Sequence, residues 1–340
     1  MTSLLQPSYS LTLGSQEWTQ QAMRVEVSLD AAPSVGVLRA RLPASAPLSA
    51  SVGDPAKLKL NSGESEADVF AGTVDSIRRG FDCITVTALD AAGALARFRP
   101  ALTFEQVTAG TVVRDLCGEV GVDVGDVDDG VSLAFYVADP SRTALEHAAR
   151  VCGWGGALAR VTPDGKFETL VVNATQPELA LKFGRDLLCL RQGETSDGVE
   201  SFVVSGESGA GSTSAPEALR PTTDFFAGSR PDGPGSKSRW RFEPALRTAQ
   251  AAGTAGAALQ RVYTSSRNRG VFESFLQPDL RVGSVFEVQE LPEGLAKGPF
   301  CASRVRHRLA PDGCVTRASF LQGGDSFDPL ALLGSLAGLF

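Results

Sequence analysis

Alternating apolar and polar residues dominate the first hundred positions and predict β-strands there. A period of two is typical of strands that bury one face. Prolines between the runs disfavour helices, because proline inside a helix removes a backbone hydrogen bond. Residues 1–102 are therefore predicted to form a first tube-like β-module, with its clearest strands at residues 9–13, 25–29, 57–60 and 81–89.

The apolar spacing changes to a helical period after residue 103. Residues 108–120 repeat apolar positions every three or four residues behind Thr108, which suits a helix N-cap. A second helix is predicted at residues 141–152, and the turn at Gly165 then predicts a β-hairpin. Residues 103–175 are therefore predicted to be a small α+β insertion domain.

Strand-like alternation returns afterwards and predicts a second tube-like β-module over residues 176–326. Within it, residues 205–239 are rich in Gly, Ser, Pro and Thr and predict a long flexible loop. A helix is predicted at residues 244–263, with Pro244 at its first position. The last strands are expected at residues 284–289, 300–309 and 314–320.

The final residues, 327–340, are apolar and are predicted to be a docking tail. Helical spacing would place four large apolar side chains on one face, and these partner-docking candidates are Leu330, Leu333, Leu336 and Phe340. The segment is shorter than the roughly 20 residues needed to span a bilayer. Two interpretations stay open: packing on its own chain, or docking on a partner protein or a neighbouring subunit.

The two β-rich ends of the chain match each other, which indicates an internal repeat at residues 52–86 and 282–316. In each copy a Val-Gly pair precedes an alternating strand, a phenylalanine follows, and an arginine-bearing strand leads to a turn. The matches in order favour duplication of one module over chance. They align Val52-Gly53 with Val282-Gly283, Phe70 with Phe300, and Cys83-Ile84-Thr85 with Cys314-Val315-Thr316.

Two similar modules in one chain have a consequence for symmetry. Three chains would surround an axis with six similar modules, and closed rings are a usual outcome of heterologous contacts. Such a ring presents a six-fold face to one partner and a three-fold face to another. The repeat therefore predicts a homotrimer with pseudo-six-fold symmetry.

Composition and charge narrow the classes of function. The 340-residue chain is 43% hydrophobic and 21% charged, with a formal net charge of −7, so no specific nucleic-acid recognition is expected. No run of about 20 apolar residues predicts a membrane span, and the N-terminus has no signal-peptide pattern. The six cysteines are far apart and are predicted to be reduced, small hydrophobic residues.

Candidate catalytic and metal-ligating residues are few. The two histidines, His147 and His307, have no second ligand at metal-binding spacing. The aspartates around Asp126 depart from the calcium-loop pattern, and the glycines at 153–156 do not follow a strand as a dinucleotide site requires. We therefore predict no catalytic residue, no metal and no cofactor. A cell-wall glycosidase, which would need two carboxylates in one cleft, and a carbohydrate-binding adhesion module are kept as alternatives.

Four stretches carry a family resemblance that spans roughly residues 40–320: residues 52–74, 95–121, 142–153 and 280–316. The first of them has Gly53-Asp54 ahead of Phe70, Gly72 and Val74, a spacing similar to a strand pair of the family. The stretches resemble the phage tail and baseplate hub family, the late control protein D-like proteins. They are also similar to the hub half of type VI secretion spike proteins.

The resemblance implies a structural baseplate hub of a contractile tail or injection system, and not an enzyme. Members of that family are trimers whose paired barrels form a pseudo-six-fold ring, which joins the hexameric inner tail tube to the trimeric central spike. The implied partners are two further copies of the chain, the spike protein, the tube protein and other baseplate proteins. The implied location is the bacterial cytoplasm during assembly and then the particle itself. Phage, bacteriocin and extracellular injection system stay open.

Overall fold

The computed structural model describes residues 6–171, 177–194, 201–206 and 237–322. The first third of the chain holds β1 (Ser8–Leu13), β2 (Gln16–Trp18), β3 (Arg24–Asp30), β4 (Val37–Pro43), β5 (Pro55–Asn61), β6 (Glu66–Arg79) and β7 (Cys83–Asp90). The middle holds α1 (Ala92–Arg97), β8 (Leu102–Thr108), α2 (Ala109–Glu119), β9 (Ser132–Ala138), α3 (Ala144–Gly155), β10 (Ala157–Val161) and β11 (Phe167–Val171). The remainder holds β12 (Leu179–Lys182), β13 (Leu187–Glu194), β14 (Ser201–Ser205), β15 (Ser238–Phe242), α4 (Ala249–Arg267), β16 (Asn268–Phe275), β17 (Val285–Gln289), β18 (Phe300–Ala310) and β19 (Gly313–Gln322).

The first seven strands form one antiparallel module in the order β3-β4-β7-β6-β5-β1-β2. Exposed and buried residues alternate along β5, because the pleat points successive side chains to opposite faces. The inward side chains meet in one core that includes Leu11, Val27 and Leu58. The strands predicted from the alternating runs in this region are all present.

The second module is built around a cluster of aromatic rings. The ring centroid of Phe286 lies 5.1, 5.6 and 5.7 Å from those of Phe272, Phe300 and Phe320. All four side chains are buried, and pairs at these separations add a specific attraction to the area that they bury. The strands that carry them run in the order β13-β16-β19-β18-β17-β12, with only β12 and β17 parallel.

An α+β region follows the first module in the chain. The Thr108 hydroxyl accepts a hydrogen bond from the Thr111 N–H at 3.1 Å and caps α2. Thr143 and Glu146 form a capping box at the start of α3. Both helices pack over the pairs β8–β9 and β10–β11, and their apolar faces share one core with these strands.

Helix α4 differs from the prediction in its start and its packing. It begins at Ala249 behind Thr248, whose hydroxyl accepts from the Ala251 N–H at 3.1 Å. Pro244 lies in the turn that follows β15, so a threonine cap and not the proline sets the first turn. The small residues of α4 allow close packing on α3, and by this packing the helix belongs to the core of the α+β region: Ala251, Ala252 and Ala255.

The two modules share one thirteen-stranded sheet. β18 pairs with β17 and β19 of its own module and also, antiparallel, with β3 of the first module. The sheet runs from β13 at one end to β2 at the other without closing. The mainly β fold with an α+β region is therefore as predicted, whereas the barrels expected from the sequence are not closed within the described part of the chain.

Two predicted segments fall outside the described residues. Of the loop predicted at 205–239, residues 207–236 are not among the described residues. None of the apolar tail predicted at 327–340 is among them. Their predicted roles stay predictions. Among the residues that the structure describes, no helix has the length and apolar character needed to cross a membrane.

Candidate assembly interface

The internal repeat has the same turn geometry in both copies. Gly53 and Gly283 have φ values of 98° and 86°, a region that glycine enters without steric cost. The Gly53 N–H donates to the Val74 carbonyl at 2.9 Å, and the Gly283 N–H donates to the Ala302 carbonyl at 2.7 Å. Directly after Val74 and after Ala302, a β-bulge interrupts the pairing with the next strand. These shared features support duplication of one module.

The structure corrects the residue register of the repeat. Ala56 pairs with Gly72, and Phe286 pairs with Phe300, so Gly72 and not Phe70 occupies the place of Phe300. The last strand shifts by one residue, because the buried Ile84 corresponds to the buried Thr316. The sequence alignment missed this shift because a difference of one residue reverses the face of every side chain on a strand.

Two rows of paired residues, one across each module, show which strand of the first module corresponds to which strand of the second. The first row crosses β3, β4, β7 and β6 through Val25, Ala40, Val86 and Ile77. The second row crosses β13, β16, β19 and β18 through Leu190, Phe272, Ala318 and Val305. Strand β13 therefore takes the place of β3, and β6 takes the place of β18.

The two modules are joined where β18 lies beside β3. In this junction Val305 faces Leu29 and His307 faces Val27. Charged side chains follow the same line: Arg304 forms an ion pair with Asp30, and Arg306 lies 3.0 Å from the Ser28 hydroxyl and 3.3 Å from the Glu26 carboxylate. Strand pairing between modules, assisted by ion pairs, is therefore the contact that this protein uses to join two copies of its repeat.

The strands equivalent to β18 and β3 are β6 and β13, and each carries the same edge on the side of its module that faces away from the β18–β3 junction. The β6 edge is defined here as residues 75–79 on the side away from β7, and the β13 edge as residues 189–194 on the side away from β16. Within the ranges that the structure describes, no strand pairs with either edge. An exposed strand edge presents backbone donors and acceptors in register for another strand.

Exposed apolar side chains accompany both edges. Phe81, in the turn that follows β6, is 99% exposed, and Leu188 on β13 is 50% exposed. Cys189 is exposed beside it. Large apolar groups beside an unpaired edge favour covering by another chain and are costly in water. The geometry therefore marks these two edges as the candidate assembly interface.

His307 lies in the centre of the junction and is fully buried. Its Nδ1 is 2.9 Å from the Thr316 hydroxyl. Burial lowers the pKa of His307 from 6.5 to about 4, because the imidazolium would lose its hydration there. The folded state therefore binds this proton more weakly than the unfolded state does.

Acidification is expected to weaken the junction through His307. A histidine with a lowered pKa stabilises the fold above about pH 6.5, and this contribution disappears as the pH falls towards 4, a loss of up to about 3 kcal/mol. Urea unfolding of wild type and His307→Asn between pH 7 and pH 4 would measure it. The difference between the two curves isolates the histidine from Asp90, whose pKa burial raises to about 7 and whose contribution has the opposite sign over this range. Parallel curves would contradict the prediction.

His147 has a structural environment in the α+β core. Its Nε2 donates to the Asp139 carbonyl at 2.9 Å, so its Nδ1 accepts from the Tyr136 hydroxyl at 2.6 Å. Both ring nitrogens are therefore used in packing. Over the described ranges, no group of three or more His, Cys, Asp or Glu residues could hold a metal ion. The absence of catalytic residues, metal and cofactor stays a prediction.

Solved structures share the architecture of this chain. No protein-family model matches the sequence, and no curated protein matches it. The 43 kDa tail protein of prophage MuSo2 from Shewanella oneidensis is 14% identical and superposes with a TM-score of 0.68, covering 94% of this chain and 99% of that protein. A tail protein from Neisseria meningitidis MC58 is also 14% identical, with a TM-score of 0.70 over 94% of this chain and 97% of its own.

The chain has the fold of phage tail proteins. A third solved structure extends the likeness to secretion systems: an Escherichia coli component of the type VI secretion system, with structural similarity to the T4 bacteriophage tail proteins gp27 and gp5. It is 10% identical, with a TM-score of 0.62 over 93% of this chain and 77% of its own. The predicted resemblance to phage tail proteins and type VI secretion spike proteins is confirmed.

The structure and the sequence point to different contact residues. The docking candidates in the tail, Leu330, Leu333, Leu336 and Phe340, lie outside the described residues, so the structure does not bring them to any surface. The two strand edges were not singled out from the sequence, because pairing across modules is invisible to local alternation. The sequence placed Phe81 at the start of the strand predicted at residues 81–89, whereas β7 begins at Cys83 and Phe81 lies in the turn before it.

Proposed function

We propose that the chain is a structural, non-catalytic baseplate hub of a phage tail or contractile injection system. In this role it is a homotrimer that adapts a hexameric inner tube to a trimeric spike, and these two proteins are its proposed partners. Tail proteins with the same fold support the structural role. The observation that carries the proposal is the β18–β3 junction, since its two sides recur as the β6 and β13 edges, one on each module and away from the junction.

Repeating the internal junction between chains would generate the ring. The β6 edge of one copy would pair with the β13 edge of the next, as β18 pairs with β3 inside one copy. Such a contact is heterologous, and a heterologous contact forms a ring when its rotation closes. Two modules per chain and six positions around a tube then require three chains.

The internal junction also specifies the register of the proposed contact. Val305 faces Leu29, and His307 faces Val27. Each of these residues can be replaced by its equivalent in the other module, as the two rows define it. This replacement places Ile77 opposite Glu194 of the next copy. It places Arg79 opposite Gln192 of that copy. A register defined to the residue makes the proposal testable with cysteine pairs.

A disulfide between Arg79→Cys and Gln192→Cys is expected to link neighbouring copies. Residues that face each other in an antiparallel ladder have Cα atoms about 4.5–5.5 Å apart, within the range that a disulfide spans. The pair is placed in a Cys189→Ser background, because Cys189 is exposed on the same strand. After oxidation, non-reducing electrophoresis should show dimers and trimers, with no band above the trimer.

A matched control combines Gln192→Cys with Lys57→Cys. Lys57 is exposed on β5, which is paired along both edges with β1 and β6, so no cross-link is expected. A ladder of bands beyond three would show that the edges pair but do not close a trimer. A trimer seen by native mass spectrometry without cross-linking would show that another surface holds the ring.

A further inference from the structure

An apolar groove lies where the α+β region meets the end of the second module. Its cavity volume is about 330 Å³. Helices α3 and α4 form one wall with small residues, Ala149, Gly153 and Ala258, and the ends of β18 and β19 form the opposite wall with Cys301 and Leu321. Small residues on helix faces leave the space into which a larger apolar side chain fits.

The rim of the groove exposes apolar side chains. Val171 is 44% exposed and Val262 is 53% exposed, although both border the cavity. An apolar groove with an apolar rim is typical of a site that another segment covers. The rim therefore indicates an occupant with apolar side chains.

The described chain ends at the wall of this groove. Leu321 and Gln322 both line it, and the sequence continues for eighteen residues to Phe340. Residues 323–329 would extend at most about 25 Å, so the apolar residues that follow start within reach of the cavity. The position of the chain end therefore puts the apolar tail of the same chain within reach of the groove.

We propose that the groove holds residues 327–340 of the same chain, with Leu333 and Leu336 seated between α3, α4 and β19. A cavity of about 150 Å³ accepts a benzene ring, so this groove has room for roughly two leucine side chains. The tail carries Asp328, and Asp325 lies just before it; Arg261 on the groove wall has the opposite charge. This inference goes beyond the hub proposal and does not depend on it.

Protection of the Cys301 thiol tests the proposal in the full-length protein. Cys301 lines the groove, and burial raises its pKa to about 11. Its thiol therefore reacts slowly, because little thiolate is present, and a segment that covers the groove should slow the reaction further. In a Cys189→Ser background, Leu333→Asp with Leu336→Asp should speed labelling of Cys301 by N-ethylmaleimide about tenfold or more, as read by peptide mass spectrometry. Ser335→Asp is the matched control, because Ser335 lies on the opposite side of the same predicted helix and should leave the rate unchanged.

A peptide added in trans distinguishes the groove from a general loosening. A synthetic peptide of residues 327–340 should restore protection of Cys301 in the double variant. Adding Val262→Asp at the exposed rim should weaken this restoration, whereas Thr254→Asp, exposed on α4, should not.

Two outcomes would overturn the proposal. Equal labelling of the wild type and the double variant would show that the tail does not cover the groove. Protection that is lost on dilution of the wild type would show that the tail comes from a second copy and not from the same chain.

Discussion

Replacing Arg79 with proline is expected to abolish ring formation and to leave a folded monomer. The Gly80 N–H donates to the Cys83 carbonyl at 2.8 Å, towards β7. Because N–H groups alternate in direction along a strand, the Arg79 N–H faces the β6 edge. Proline removes this donor and places its ring where the neighbouring strand would lie. An acceptor left without its hydrogen bond costs about 1–3 kcal/mol and the proline ring adds a steric clash, so the affinity of each edge contact should fall by roughly 10-fold or more.

The fold of the Arg79→Pro monomer should survive for a local reason. The preceding residue, Arg78, is already in strand conformation, which a following proline requires. Arg79→Ala is the matched control, because it removes the same exposed side chain and keeps the N–H, and it should still assemble. Mass photometry over a dilution series would measure both variants. Trimers of equal affinity in the proline variant would exclude the β6 edge from the interface.

Replacing Phe286 with alanine is expected to destabilise the second module by about 3–5 kcal/mol. Phe286 is fully buried, and its ring contacts the rings of Phe272, Phe300 and Phe320. The substitution removes the central ring of this cluster, and the rigid β-ladder around it cannot collapse to fill the space. The free energy of unfolding from urea titration, monitored by circular dichroism, would measure the loss.

Phe81→Ala is the matched control for this substitution. The chemical change is the same, but Phe81 is 99% exposed, so the stability of the monomer should change by no more than about 0.5 kcal/mol. If Phe286→Ala also fell within that range, the aromatic cluster would not be the core of the second module. A weaker trimer with Phe81→Ala would in turn support a place for this side chain near the interface.

The strands and the repeat could be predicted from local patterns. Alternation revealed β1, β3 and β5, because each has one face in a core and the other in water. The cap at Thr108 was also readable, since a threonine before an apolar-periodic run satisfies the first backbone donors of a helix. The start of α4 was misread because Pro244 and Thr248 are both acceptable start signals, and only the tertiary packing of α4 on α3 selects between them.

The candidate interface could not be predicted in the same way. The β18–β3 junction joins residues that are far apart in the sequence, and nothing local in Val27 or His307 indicates that they face each other. The register shift between Phe70 and Phe300 was hidden because both side chains are buried phenylalanines at equal spacing from their glycines. Apolar tails are conspicuous in a sequence, whereas unpaired strand edges become visible only when every other pair has been assigned.

The β18–β3 junction also determines how long the edge of β3 stays unpaired during synthesis. Arg304 and its partner Asp30 are 274 residues apart, so β3 leaves the ribosome long before β18 exists. At about 5–20 residues per second, its edge waits roughly 14–55 s for that partner. During this interval the nascent first module exposes an unpaired strand edge to every other nascent copy. Premature pairing between neighbouring nascent chains on one polysome is therefore expected, and weaker translation initiation, which spaces these chains further apart, should raise the soluble yield.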